Sequence, residues 1–385
     1  MKIDLLIIGG GVLGTFHAFH ALDRGLSVAL LERHASPCGA TVRNFGQVVP
    51  SGLDADWQPI GRESVRIYES IQAEFDISVR RDGSLYVASD DDELTLLEEL
   101  SCINQQDRYP SQLWTPDRCR DRYPQLRSDY CRGGLFFPEE ISLNPRKMIH
   151  QLHAYLSGNP QFQGHFRTCV NELVCLTKGR VSASTTDGKT FIADNAILCG
   201  GNEFQLLFPE MFDHAEIEVV KLQMLRLKSQ PNVSIPGNVL TGKTIRRYES
   251  FSKCRSWNEI KSREPSDDPL KRWGIHILLK QEADGSIILG DSHEYASVKQ
   301  SGDLGYEQRH EIAELLISEG HRIMDLPHWD VESSWCGFYS QTKQSTGIFT
   351  ATIDDHIHIV TGIGGKGMTI SPQFAKQHLQ ELLDV

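Results

Sequence analysis

The chain has 385 residues, 39% of them hydrophobic, with 39 Lys and Arg against 51 Asp and Glu and a formal net charge of −12. That length implies about two domains with sizeable cores, and the acidic balance excludes nucleic-acid binding as the main activity, because a phosphate backbone is met by clustered cations. No apolar run approaches the roughly 18 residues of a membrane span, the N-terminal run is too short for a secretory signal, and the nine cysteines, odd in number and without C-x-x-C spacing, read as reduced thiols of a cytoplasmic protein.

The first 33 residues read as a nucleotide-binding βαβ unit. The apolar run Leu5-Leu6-Ile7-Ile8 leads into Gly9-Gly10-Gly11-Val12-Leu13-Gly14, so Gly9, Gly11 and Gly14 occupy the G-x-G-x-x-G positions. The first glycine allows the tight turn, the second lets backbone approach a pyrophosphate, and the third lets helix pack on strand. A helical pattern (Val12, Phe16, Phe19, Leu22) stops at Gly25, and a second strand, Val28-Ala29-Leu30-Leu31, ends at Glu32, just before Arg33. Glu32 is placed to accept from a ribose diol, which argues against a 2′-phosphate.

Ile60, Ile67, Tyr68, Ile71 and Phe75 predict a helix over residues 59–75. Alternation around Asp82-Gly83 (Ile77, Val79, Arg81, then Leu85, Val87) predicts a hairpin. The acidic run 90–93 reads as the solvated first turn of a helix carrying Leu94, Leu96, Leu97 and Leu100. Asn144-Pro145 opens another helix, through Leu156. A β-meander then covers residues 168–176, 181–185 and 191–193, and feeds a strand 196–199 ending at Gly200-Gly201. Residues 217–290 are rich in strand signals, including a hairpin around Asp284-Gly285, and Ile312, Leu315, Leu316 and Ile323 mark a further helix. The strand 357–361 runs into the glycine loop 362–369, and Ser371 and Pro372 are expected as N-cap and first residue of the last helix. Strand–glycine–helix patterns at both chain ends and at Gly200 imply one sheet assembled from distant segments, with an antiparallel sheet inserted between them.

Blocks spread over the whole chain resemble the FAD-dependent amine and amino-acid oxidoreductases of the D-amino acid oxidase, glycine oxidase and sarcosine oxidase type. They are Ile7 to Glu32 with Gly39-Ala40-Thr41-Val42-Arg43-Asn44-Phe45-Gly46-Gln47, then Arg81 to Ala88, then Lys221 to Leu227, and finally Trp335 to Tyr339 with Gly362 to Pro372. The runs Asp284 to His293 and Gly362 to Thr369 are similar to the branch associated with aminophosphonate breakdown. The resemblance implies an α/β (mixed α+β) fold in which a Rossmann-like FAD-binding domain (residues 1–79, 142–214 and 330–385) is interleaved with a mixed, largely antiparallel substrate domain (80–141 and 215–329).

It further implies FAD held by Gly9, Gly11, Val12, Leu13, Gly14, Glu32 and Arg33, and by the wrapping segment Ala40, Thr41, Arg43, Asn44, Phe45, Gly46 and Gln47. Val170, Cys199, Gly200, Gly201 and Gly337 join this set, with Gly362, Gly364, Gly365, Lys366, Gly367, Met368 and Thr369 at the flavin pyrimidine end. Lys366, Tyr339 and His293 are the candidate catalytic residues. Tyr248 and Arg247, with Arg246, Tyr339 and Lys366, are the candidates for an anionic substrate group. Sarcosine oxidases tether FAD through a Cys two residues before a Tyr, whereas Cys336 stands three before Tyr339, so FAD is expected to be non-covalent. His356 and His358 lack a completing carboxylate or thiol, and no metal is expected. The implied substrate is a small amine with an anionic group, oxidised by hydride transfer to flavin, with oxygen or another acceptor downstream. The alternatives are a hydroxy-acid or glycerol-phosphate-type dehydrogenase, and a non-catalytic flavoprotein for redox sensing or assembly.

Overall fold

A computed structural model describes residues 2–177, 179–230 and 232–383; Met1, Asp384 and Val385, the outermost residues of the expected segments, lie outside the described residues. The run Leu5 to Ile8 is apolar without alternation because its strand is covered on both faces, as parallel sheets demand. Strand Ile3–Ile8 pairs in parallel with Val28–Glu32 on one side and Thr190–Leu198 on the other. Ile357–Thr361 and Phe162–Phe166 extend this parallel core outward, and Phe349–Ile353 closes one edge antiparallel. The meander Val170–Leu176, Arg180–Thr185 joins the same sheet. Here residues 190–198 form one continuous strand rather than the two segments expected, with Ala193 and residues 196–198 buried along it.

Parallel pairing aligns the carboxyl ends of these strands, so the glycine loops after Ile8, Leu198 and Thr361 converge on one edge. Ligands of open α/β sheets bind at that edge. A second, mixed sheet of nine strands supplies the roof, built around Ile217–Leu227, which pairs along its length with Val331–Thr342. All its pairings are antiparallel except Asn238–Leu240 against Ser84–Ala88. The expected hairpin across Asp82-Gly83 does not form. Ser84–Ala88 pairs instead with Gly133–Phe137 and Asn238–Leu240, and residues 77–83 contribute only an isolated bridge from Arg80 to Ser142. Long-range pairing has overridden the local turn signal.

The last helix also differs from expectation. It begins at Gly367 and runs to Leu383, so Pro372 lies inside it and Ser371 Oγ donates back to the Gly367 carbonyl (2.6 Å). An internal proline leaves the carbonyl of residue i−4 without its N–H. That carbonyl is Met368 O, and Tyr68 Oη, from helix Trp57–Glu74, donates to it at 3.0 Å. The proline is thus accommodated by a neighbouring side chain.

The same helix packs on helix Val12–Asp23 through histidines. His17 Nε2 lies 3.0 Å from His378 Nδ1, and His20 Nε2 lies 2.8 Å from the Pro372 carbonyl. Burial pushes His17 down to about 3 and His20 and His378 to about 4, from an ordinary value near 6.5. Above that value the seam is neutral in folded and unfolded chains alike. As pH falls from 6.5 towards 4, the unfolded chain takes up protons that the folded chain refuses. Stability should therefore drop, by up to about 1.4 kcal/mol per pH unit per imidazole. Thermal midpoints at pH 7 and pH 5 check this, and the drop should be smaller in His378→Gln.

Candidate active site

The nucleotide loop is shaped by close backbone approaches. Gly9 has φ +107°, and a Cβ there would stand 2.2 Å from the Cys199 carbonyl oxygen; a Cβ on Gly14 would stand 2.1 Å from Gly9 O. Gly11 differs, since its Cβ would meet only Thr41 Oγ1, at 3.1 Å. The first and third glycines are therefore held by the chain itself, and the second leaves open backbone facing a cleft. Thr41 Oγ1 accepts the Val12 N–H (2.9 Å). Buried Glu32 accepts the Gly10 N–H through Oε2 and the His34 N–H through Oε1, both at 2.9 Å. Each oxygen retains a second lone pair for a ligand hydroxyl. Arg33 pairs with Glu203 (2.6 Å).

The segment 40–47 folds on its own side chains. Asn44 Nδ2 donates to the Ala40 and Thr41 carbonyls and its Oδ1 accepts the Gly46 N–H. Arg43 donates to the carbonyls of Cys38 (2.7 Å) and Cys336 (3.1 Å), tying this segment to the strand that carries Tyr339. Gln47 Nε2 is buried with no partner, a free donor on the cleft wall. At the C-terminal loop, Gly362 and Gly364 both have φ +67°, and a Cβ on Gly365 would reach only Tyr339 Oη, at 4.0 Å. Gly201 O is held by Thr361 Oγ1 (2.5 Å) and Ser340 Oγ (3.1 Å).

The site residues nominated from sequence line one cleft of about 730 Å³, with the exceptions of Gly46 and Arg246. Gly46 is a turn residue with φ +72°, and a Cβ there would stand 2.1 Å from Leu143 O, so the glycine is required by the chain's own close approach away from the cleft wall. The cleft size is within the range of cofactor and ligand sites, roughly 300–1,000 Å³.

Arg247, Tyr248, His293, Tyr339 and Lys366 come together on the wall of this cleft, joined by His276 and Asp291, which sequence reasoning did not nominate. Arg247 donates to Tyr295 Oη (2.9 Å) and Gly274 O (3.4 Å), and Lys366 Nζ lies 3.3 Å from Glu249 Oε1. Burial pushes the phenols of Tyr248 and Tyr339 well up, so both keep their protons. Burial also pushes His276 down and His293 to about 3, leaving both imidazoles neutral at pH 7. For Asp291 burial acts upward, but its interactions with the His293 and His276 rings and with the Arg247 guanidinium, the permanent cation among them, outweigh burial and bring it to about 2. Its carboxylate is ionised. The signal for these two residues was present: His276 is the polar residue in the apolar run 275–279, and Asp291 belongs to the quoted run 284–293.

Arg246 points elsewhere. It pairs with Asp90 (2.6 Å) and with buried Glu93 (2.8 Å), so the acidic run expected to be solvated forms a charged network apart from the cleft. Removing one partner of a buried pair costs about 3–5 kcal/mol. Arg246→Met should lower stability by about that amount and leave KM unchanged, as thermal unfolding and steady-state kinetics will show. His356 and His358 are engaged with Asn195 and Thr352. Among the described residues, His276, Asp291 and His293 form a group whose ligand atoms lie within 4.8 Å of one another. No helix of the described residues is long and apolar enough to cross a membrane.

Comparison with known proteins is consistent with this geometry. The family model described as "DAO: FAD dependent oxidoreductase" matches residues 4–380. The mouse (Mus musculus) mitochondrial pyruvate dehydrogenase phosphatase regulatory subunit is 25% identical over 203 residues, 52% of this chain and 23% of that protein. The gamma-glutamylputrescine oxidoreductase of Escherichia coli (strain K12) is 32% identical over 111 residues, 25% of this chain and 26% of that protein. The chain thus spans about a quarter of the length of these two curated relatives. The crystal structure of L-proline dehydrogenase from P. horikoshii superposes with a TM-score of 0.80 at 17% identity, covering 100% of this chain and 94% of the other, which shows a shared fold.

Proposed function

We propose, on the premise that this chain belongs to the DAO family of FAD-dependent oxidoreductases, that it oxidises the C–N bond of a small amine bearing an anionic group, with an aminophosphonate or its N-methyl derivative ahead of a plain amino acid. The observation that carries this reading is the placement of Arg247 and Lys366, with the protonated phenols of Tyr248 and Tyr339, on the wall of the same cleft that contains the nucleotide loop. An anionic group on the substrate would be met by a guanidinium, which binds carboxylates and phosphonates bidentately, and by phenol donors.

The residues present fit FAD. The open backbone at Gly11, the spare lone pairs of Glu32 and the unpartnered Gln47 Nε2 offer donors and acceptors along the cleft. The N-terminus of helix Val12–Asp23 suits the pyrophosphate, and residues 362–369 suit the pyrimidine end of the flavin. When bound, FAD would supply the hydride acceptor for the carbon beside a neutral amine nitrogen, the N–H proton leaving to solvent as the imine forms, and water would then hydrolyse the imine to carbonyl and amine. Cys336 supports non-covalent binding: its Sγ faces the carbonyls of Tyr306 and Glu307, at 3.9 and 3.8 Å, and it does not line the cleft. We assign residues 1–79, 142–214 and 330–385 to cofactor binding and 80–141 and 215–329 to the substrate side. Nine free thiols support a reducing, cytoplasmic setting.

Product analysis under turnover tests the proposal. Amine substrates should yield one carbonyl, trapped as a hydrazone, per amine released. Hydrazone formed only from hydroxy acids or glycerol phosphate, with no amine released, would overturn it.

A further inference from the structure

Asp291 has no task in the scheme above, and its surroundings point to one. It is 7% exposed, lines the cleft, and its Oδ1 receives no hydrogen bond. His276 Nε2 lies 2.9 Å away but is not aligned to donate, while its Nδ1 faces Thr244 Oγ1 (3.1 Å). His293 Nδ1 stands 4.0 Å off and is engaged with the Gly274 carbonyl at 3.0 Å. Arg247, the nearby permanent cation, directs its N–H groups to Tyr295 and Gly274. A buried, ionised carboxylate without a donor is costly. Among the described residues no N–H, including those of nearby Arg247, is aligned on Asp291 Oδ1, which leaves that oxygen open to a donor from a ligand.

We infer that Asp291 anchors the ammonium group of the substrate, with Arg247 and the phenols taking the anionic group at its other end. This rests on the amine reading of the site and sharpens it, since the cleft would then select zwitterions, recognising a cation and an anion at two separate places. It also gives the run 284–293 a purpose: the strand Ile287–Gly290 ends where the carboxylate must enter the cleft. A divalent metal ion is the other cation that two imidazoles and a carboxylate can hold. It is disfavoured by the engagement of His293 Nδ1 with a carbonyl and by the guanidinium of Arg247 close by.

The test uses the FAD-loaded protein and two inert ligands of the same shape. (2-Amino-2-methylpropyl)phosphonate has no hydrogen on its amine-bearing carbon and cannot be oxidised; (2,2-dimethylpropyl)phosphonate replaces its ammonium by methyl. Binding is read from perturbation of the flavin spectrum, and the pair is repeated with the corresponding carboxylates. In the wild type the ammonium compound should bind at least ~10-fold more tightly, and Asp291→Asn should bring the ratio to about one. Equal binding of the two ligands by the wild type would overturn the inference even if Asp291→Asn failed to fold. So would a preference that survives in Asp291→Asn, or a stoichiometric transition metal in the wild type that is lost in the variant. Because neither ligand turns over, a failure here leaves the oxidation of amines to be judged separately by product analysis.

Discussion

Gly9→Ala is expected to purify without FAD. The new Cβ would stand 2.2 Å from the Cys199 carbonyl oxygen, and Gly9 has φ +107°. A non-glycine residue in that backbone region costs about 1–3 kcal/mol, and overpacking against backbone costs roughly the same again. Neither can be relieved by a flexible side chain, because the atom met is the main chain of the neighbouring strand end. The loop must shift, and with it the open backbone at Gly11. A loss of about 3 kcal/mol in cofactor binding is over 100-fold in affinity. The flavin-to-protein ratio, with thermal unfolding of the apoprotein as a control, checks this. Gly11→Ala serves as comparator: its Cβ meets only Thr41 Oγ1, so it should lose far less FAD.

The second large effect is expected at the substrate end. Arg247→Met should raise KM for the anionic amine and leave FAD content unchanged. Truncating one partner of a buried, hydrogen-bonded charge pair costs about 2–5 kcal/mol, which is at least ~30-fold in kcat/KM. Part of the loss would come through Tyr295, to which Arg247 donates, and part through Asp291, whose charge Arg247 offsets. The neighbouring Arg246→Met, which breaks the pair with Glu93 outside the cleft, should spare KM. A KM equally raised by both variants would mean that unfolding, not substrate recognition, is being measured.

The parallel core was legible because its strands are buried on both faces and end in glycines, as Leu5 to Ile8 before Gly9 and Ile357 to Thr361 before Gly362 show. The cleft residues followed, since they sit on those strand ends. Local signals failed where distant partners decide. Asp82-Gly83 looks like a hairpin turn, but Ser84–Ala88 finds its neighbours at residues 133–137 and 238–240. Ser371-Pro372 looks like a helix start, and only Tyr68, some 300 residues away, makes an internal proline tolerable. Arg246 and Arg247 are adjacent in sequence, yet one meets the helix carrying Glu93 and the other meets Tyr295. The run 284–293 marked the neighbourhood of Asp291, but the missing donor that gives this carboxylate its significance is not displayed by any sequence pattern.

Anaerobic reduction of the purified flavoprotein tests the central claim most directly. Its flavin absorbance should bleach on addition of an aminophosphonate or its N-methyl form, and more weakly with plain amino acids. Bleaching by hydroxy acids or glycerol phosphate alone, or by no small amine at all, would contradict it.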